Sequence, residues 1–207
     1  YHKEFAGALA AIAKQGVDAI EVWNEPNLDR EYGGSGNGQV NPENYTNMLR
    51  EAYAAIKAAN PNVIVISGAT APTGYFGGNC NAGGCDDAIF VQRMAAAGAA
   101  SFMDCIGAHH NGTMVGPDTT TGAPVGSASH HQWYFQGTLD VNCNAFGGKK
   151  PVCWTELGYV TKDGIAGALP GGFSWGNGIT MQNQVDWLRR AVELSRASGK
   201  VRIMIIW

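Results

Sequence analysis

Apolar residues along the chain follow two alternating patterns. Short apolar runs occur at 19–23 (AIEVW), 62–67 (NVIVIS), 105–110 (CIGAHH), 151–155 (PVCWT) and 201–207 (VRIMIIW). Runs this short, without strict alternation, predict strands covered on both faces, as in a parallel sheet. Between them the apolar spacing becomes helical. The clearest case starts at Asn41-Pro42, an N-cap residue followed by proline at the first helical position. Tyr45, Met48, Leu49, Ala52, Tyr53 and Ile56 then form one stripe of a 3.6-residue repeat, which Asn60-Pro61 ends. A second helix, capped by Asp86 or Asp87, is expected through Ile89, Phe90, Met94 and Ala97. A third is expected from near Ser129 through Trp133 and Phe135. A fourth carries Met181, Val185, Leu188 and Val192 and stops at Ser198-Gly199, and an opening helix covers 5–12 and ends at Gly16.

The strand centres are separated by intervals of about 43 to 51 residues, a near-constant βα unit that argues for repeated right-handed crossovers. No sequence repeat accompanies the period, so a solenoid is not expected. A doubly wound nucleotide-binding sheet would need a glycine-rich turn after its first strand, and none follows AIEVW. A (β/α)8 barrel gathers functional residues just after its strands, and the unusual polar residues of this chain lie there. Asn24-Glu25-Pro26-Asn27 follows the first run, His109-His110-Asn111 closes the third, and Glu156 follows the fourth. In a barrel, Glu25 and Glu156 would face each other across the mouth. One protonated and one ionised carboxyl group across a cleft are the minimum apparatus for cleaving a glycosidic bond. Mutual repulsion would raise one of the two pKa values.

Composition narrows the alternatives. The 207 residues carry 14 basic and 17 acidic side chains, a net charge of −3, without the clustered Lys and Arg of a nucleic-acid binder. No apolar run approaches the ~18 residues of a membrane span, and a hydrophobic content of 45% excludes general disorder. Of the five cysteines, Cys80 and Cys85 share a Gly/Asn-rich loop where a small disulfide is sterically easy, which leans toward a secreted or extracytoplasmic setting. Cys105 and Cys153 lie in strand-like runs and read as buried free thiols. No cysteine spacing suggests zinc.

The run Glu21-Val22-Trp23-Asn24-Glu25-Pro26-Asn27, with Trp154-Thr155-Glu156 later, resembles the retaining glycoside hydrolases of the (β/α)8 clan A. The resemblance implies that Glu25, after strand four, is the acid/base and Glu156, after strand seven, the nucleophile, ~5–5.5 Å apart. It implies that Asn24 bonds the sugar 2-hydroxyl and that Trp207 floors the sugar site after strand eight. His109 and His110 match the end of strand six, where many relatives carry His or Tyr, and the resemblance makes both candidates for substrate binding. No Tyr follows them here, which leaves open the group that hydrogen-bonds the nucleophile from that strand. No metal and no organic cofactor is implied. The partner is a glycoside, oligosaccharide or polysaccharide, without nucleic acid or membrane span. Sugar, linkage and exo or endo action are chosen by loops. The alternatives are a catalytically inactive carbohydrate-binding barrel and a lyase-type barrel enzyme acting on a non-sugar substrate.

Other candidates are weighed individually. Adjacent residues on a strand face opposite ways, so His109 and His110 would not share one ion. One should face the mouth and the other pack beneath a helix. Glu21 reads as a buried structural carboxylate paired with Arg or Lys. His130-His131 reads as a helix start at the surface, and Tyr53, Trp133 and Trp187 as core. Trp175, in the glycine-rich loop after strand seven, is a candidate for sugar stacking, with weaker claims for Tyr32, Tyr75 and Phe76. Long loops at 27–40, 71–85, 111–127 and 159–178 would crowd the same face. At about 45 residues per unit, eight units need about 360. Residues 1–207 are therefore expected to form the C-terminal portion of one catalytic domain, strands four to eight of an open barrel.

Overall fold

A computed structural model describes residues 1–33, 40–125 and 127–207. Parts of the loops expected at 27–40 and 111–127, namely 34–39 and 126, lie outside the described residues. Helix α1 (His2–Ala13) leads into β1 (Ala19–Val22), a one-turn α2 (Asp29–Tyr32), α3 (Pro42–Ala59) and β2 (Ile64–Ser67). Then follow α4 (Asp87–Ala96), β3 (Ile106–His110), α5 (Phe135–Ala145), β4 (Val152–Leu157), α6 (Met181–Ser198) and β5 (Val201–Ile206). Every ladder is parallel. β1 pairs with β2, and β4 pairs with both β3 and β5. Parallel bridges Ile66 to Cys105 and Thr70 to Ala108 join the two groups. The strands therefore follow sequence order, β1-β2-β3-β4-β5, in one open arc with helices on its outside.

The outer face and the helices share the main core. Ile20, Val22, Val65, Ile106, Val152 and Trp154 pack with Leu49, Ile56, Phe90, Met94 and Leu139. The inner face carries a small separate cluster of Ile66, Cys105 and Cys153, with Ala19, Ile64 and Ile203 against it. Here one expectation is corrected. Cys105 and Cys153 are not free thiols but a disulfide, because parallel pairing brings their Cα atoms to 5.9 Å. Cys80–Cys85 is the second disulfide and Cys143 the buried free thiol.

Local signals set the helix ends. Asn41 Oδ1 accepts from Asn44 N–H at 2.8 Å and starts α3. Thr180 and Asn183 form a capping box at α6, and Gly199 ends that helix at φ 64°. Three helix expectations need correction. Asp86 precedes α4 without capping it, since its carboxylate accepts from Phe76 and Gly78 N–H instead. The helix expected from Ser129 starts at Phe135, after a 3-10 turn at His131–Trp133. In α6 the buried side is Ala191 and Ser195, while Met181 and Val185 are exposed.

Candidate active site

The turn after β1 presents Glu25. Trp23 (φ 76°) and Glu25 (φ 41°) are the non-glycine residues in the left-handed region among the described residues, a conformation that costs about 1–3 kcal/mol each. Surrounding contacts hold it. The Trp23 indole N–H donates to Glu31 O at 2.9 Å, and its ring meets Phe5 and Tyr32 edge-on. From α3, the Tyr45 hydroxyl donates to Val22 O and accepts from Gly68 N–H, tying the ends of β1 and β2 together. A Cβ at Gly68 would sit 2.8 Å from the carbonyls of Val22 and Trp23, so this approach requires glycine. Buried Asn27 donates to Ala71 O and Cys85 O and accepts from Ala71 N–H, fixing the next loop against the turn.

The second carboxylate depends on a bulge. Ala108 pairs with Trp154, but His109 pairs with Glu156, so β4 carries one extra residue, Thr155. Without the bulge, Thr155 and Glu156 would face opposite ways. With it, both face the inside of the arc. Thr155 Oγ1 donates to Glu21 Oε1 at 3.0 Å, and Glu156 comes level with His109. Glu156 thus sits inside β4, which runs two residues beyond the strand expected from sequence.

The two glutamates converge on one imidazole. Buried His109 places Nδ1 3.1 Å from Glu25 Oε1 and 3.5 Å from Glu156 Oε2. One oxygen from each carboxylate lies within 4.8 Å of the other. Asn111 Nδ2 donates to Glu156 Oε2 at 2.9 Å, so an amide occupies the place where an aromatic hydroxyl was sought. Glu21 lies deeper, accepting from Ala69 N–H at 2.9 Å as well as from Thr155. Its partners are these neutral donors rather than the expected Arg or Lys, and burial pushes its carboxyl pKa up. The two histidines face opposite ways as expected, but His110 is corrected as a substrate-binding candidate: it is buried on the outer face, away from the carboxylates. It packs on Phe135, Trp154 and Tyr159, and burial lowers its pKa to about 4, keeping it neutral.

No protein-family profile matches the chain, and no curated protein does. Solved structures do match. A family 39 glycoside hydrolase from Bacteroides cellulosilyticus WH2 aligns over 97% of this chain and 36% of its own, at 22% identity and TM-score 0.58. A monomeric β-xylosidase from Caulobacter crescentus CB15 aligns over 99% and 38%, at 21% identity and TM-score 0.56. The Ignisphaera aggregans GH53 catalytic domain aligns over 100% and 54%, at 16% identity and TM-score 0.56. The chain folds as part of a (β/α)8 barrel. The neighbours are glycoside hydrolases of the clan that the two motifs resemble, and this chain spans about a third to a half of their length.

The remaining candidates do not contact the two carboxylates in any hydrogen bond among the described residues. Asn24 is exposed and lines a concavity of about 470 Å³ with Glu21, Trp23 and Glu31. Trp175 lies in a 3-10 segment, Gly171–Gly178, and its indole N–H donates within that segment to Gly172 O. The Trp207 N–H donates to Leu157 O while its side chain is exposed. A concavity of about 780 Å³ is lined by residues of α1, α2 and α3 with Trp23, and not by the two carboxylates. Among the described residues, two side-chain groups have donor spacing suited to a cation, Glu25-His109-Glu156 and Asp87-His130-His131. Asn111 and Thr155 stand in the strand-end motifs read from sequence, but neither was assigned a role there. The only signal for them was position, one residue beyond or before a candidate at the same strand end.

Proposed function

We propose that the protein is a retaining β-glycoside hydrolase in which Glu25 is the acid/base and Glu156 the nucleophile. The observation that carries this reading is the convergence of both carboxylates, from β1 and β4, on His109 Nδ1. Oxygens within 4.8 Å of each other suit double displacement better than the ~6.5–9.5 Å gap that leaves room for water in inverting enzymes. In the first step a Glu156 oxygen bonds to the anomeric carbon as the bond to the leaving oxygen breaks. Glu25 gives that oxygen its proton. In the second step Glu25 takes a proton from water, whose oxygen displaces Glu156 from the sugar. His109 holds the two carboxylates at their spacing, and Asn111 fixes the rotamer of Glu156. Asn24 would bond the sugar 2-hydroxyl, with Trp207 and Trp175 as stacking surfaces and His110 packed behind the site.

The substrate class is a β-linked glycoside, oligosaccharide or polysaccharide, in keeping with the neighbours' descriptions. Two disulfides fit an oxidising, extracytoplasmic setting, and no described helix is long and apolar enough to cross a membrane.

The test is product stereochemistry on aryl β-glycosides. Glu25→Ala and Glu156→Ala should each lower kcat by ~10²–10⁴-fold or more. Azide should rescue Glu25→Ala with a β-glycosyl azide and Glu156→Ala with the α anomer. Asn111→Ala should lower kcat by ~10-fold, the worth of one hydrogen bond to a charged group. Saccharide binding without turnover by the unmodified protein, or full activity in both glutamate variants, would overturn the reading.

A further inference from the structure

A second polar cluster lies on the strand-end side of the sheet, built from the start of α4 and the 3-10 turn before α5. Asp87 is 2% exposed, and its Oδ2 accepts from or pairs with His131 Nε2 at 2.8 Å. Its other oxygen, Oδ1, is buried with no hydrogen-bond partner. A buried carboxylate oxygen without a donor is costly, and native proteins rarely leave one so. The His130 and His131 rings lie against each other at a 34° tilt, with centroids 4.2 Å apart. A Cβ on Gly74 would collide with the His130 ring at Nε2, so glycine at that position gives the imidazole its room. One donor atom from each of Asp87, His130 and His131 lies within 4.8 Å of the others.

We propose that Asp87, His130 and His131 form a binding site for a borderline divalent transition metal of the zinc class, separate from the two catalytic glutamates. The donor set is two imidazoles and one carboxylate, the mixed nitrogen and oxygen set that zinc accepts. Zinc bonds of ~2.0–2.2 Å to nitrogen and oxygen imply donor separations of roughly 3.3 Å, so small side-chain movements suffice. The cation would sit between the two histidines and Asp87, giving the orphaned carboxylate a counter-charge. Three protein donors leave a fourth tetrahedral position for water. Coordination has one local consequence at His130. Its Nδ1 accepts from Gln132 N–H at 3.2 Å, and a neutral imidazole that ligates through Nε2 must carry its proton on Nδ1. Binding through Nε2 therefore gives up that long hydrogen bond.

The site would pin two loops over the barrel mouth. Asp87 N–H donates to Thr73 Oγ1, and Thr73 contacts Asn27, which anchors the Glu25 turn. The metal would clamp the segment before α5 to this same network. It supplies no step in the reaction proposed above, and the inference does not rest on that reaction.

The experiment uses chelator-treated protein titrated with Zn2+ in a calorimeter, and with Co2+ followed by its visible d–d absorption. One equivalent should bind, and it should persist in Glu156→Gln, which disables the other donor trio. His131→Ala and Asp87→Asn should each weaken binding by at least ~10-fold and abolish the cobalt spectrum. His130→Ala, at a half-buried position, provides a further variant whose fold is not at risk. Absence of stoichiometric binding would overturn the proposal. So would unchanged binding in the His130, His131 and Asp87 variants, or a cation lost in Glu156→Gln alone.

Discussion

At the residue scale, Glu25, Glu156, His109 and Asn111 were all conspicuous in the sequence, and the contacts among them were not. Glu25 and Glu156 stand out because acidic residues at strand ends are conspicuous against apolar runs. That His109 meets both, and that Asn111 bonds Glu156, depends on one bulge in β4 whose register no spacing rule encodes. The opposite orientation of His109 and His110 follows from strand geometry and needed no such detail. His110 carries a measurable consequence of its burial. Its pKa falls from the ordinary 6.5 to about 4. The unfolded chain therefore takes up a proton below pH 6.5 that the native state refuses until about pH 4. Stability is fully present above pH 6.5 and is lost as the pH falls through this window. The loss from this group reaches about 3 kcal/mol. Urea unfolding of His110→Phe between pH 7 and pH 4 should show a shallower decline than the unmodified protein. Equal declines would remove His110 from the account.

At the element scale, alternating runs and helical stripes placed all five strands and the main helices, with ends displaced by a few residues. Errors arose where tertiary contacts outweighed local signals. Asp86 has the chemistry of a cap, but its carboxylate is drawn to the Phe76 and Gly78 amides. Met181 and Val185 have the spacing of a buried stripe, but both are exposed, and the buried positions of α6 fall later, at Ala191 and Ser195. The two disulfides divide the same way. Cys80 and Cys85 are five residues apart and local, whereas Cys105 and Cys153 are separated by 48 residues and joined only through strand pairing. Loop length sets their expected contributions. Loop-closure entropy gives about 4 kcal/mol for the longer link and about 2 kcal/mol for the shorter. Replacing Cys105 and Cys153 together by Ala should therefore lower the denaturant midpoint more than replacing Cys80 and Cys85 together. The reverse ranking would mean that the inner-face link contributes little to folding.

At the scale of the molecule, five parallel strands form an arc with two unpaired edges among the described residues. β1 pairs on one side only with β2, and β5 only with β4. A parallel sheet in which both faces and edges are normally covered is thus left open along β5. Ile205 is 47% exposed, Ile206 51% and Trp207 78%. At the other end, Phe5, Trp23 and Tyr32 line the large concavity beside α1. Exposed apolar edge strands template pairing with another chain. A closed barrel removes this hazard because its edges pair with each other. The 207-residue chain expressed alone should accordingly associate at micromolar concentration, with sedimentation coefficients that rise with concentration. A charge on the edge opposes such pairing, so Ile205→Lys should shift the distribution toward monomer while leaving the far-ultraviolet spectrum unchanged. A monodisperse monomer at every concentration would show that the arc covers these edges by means other than pairing.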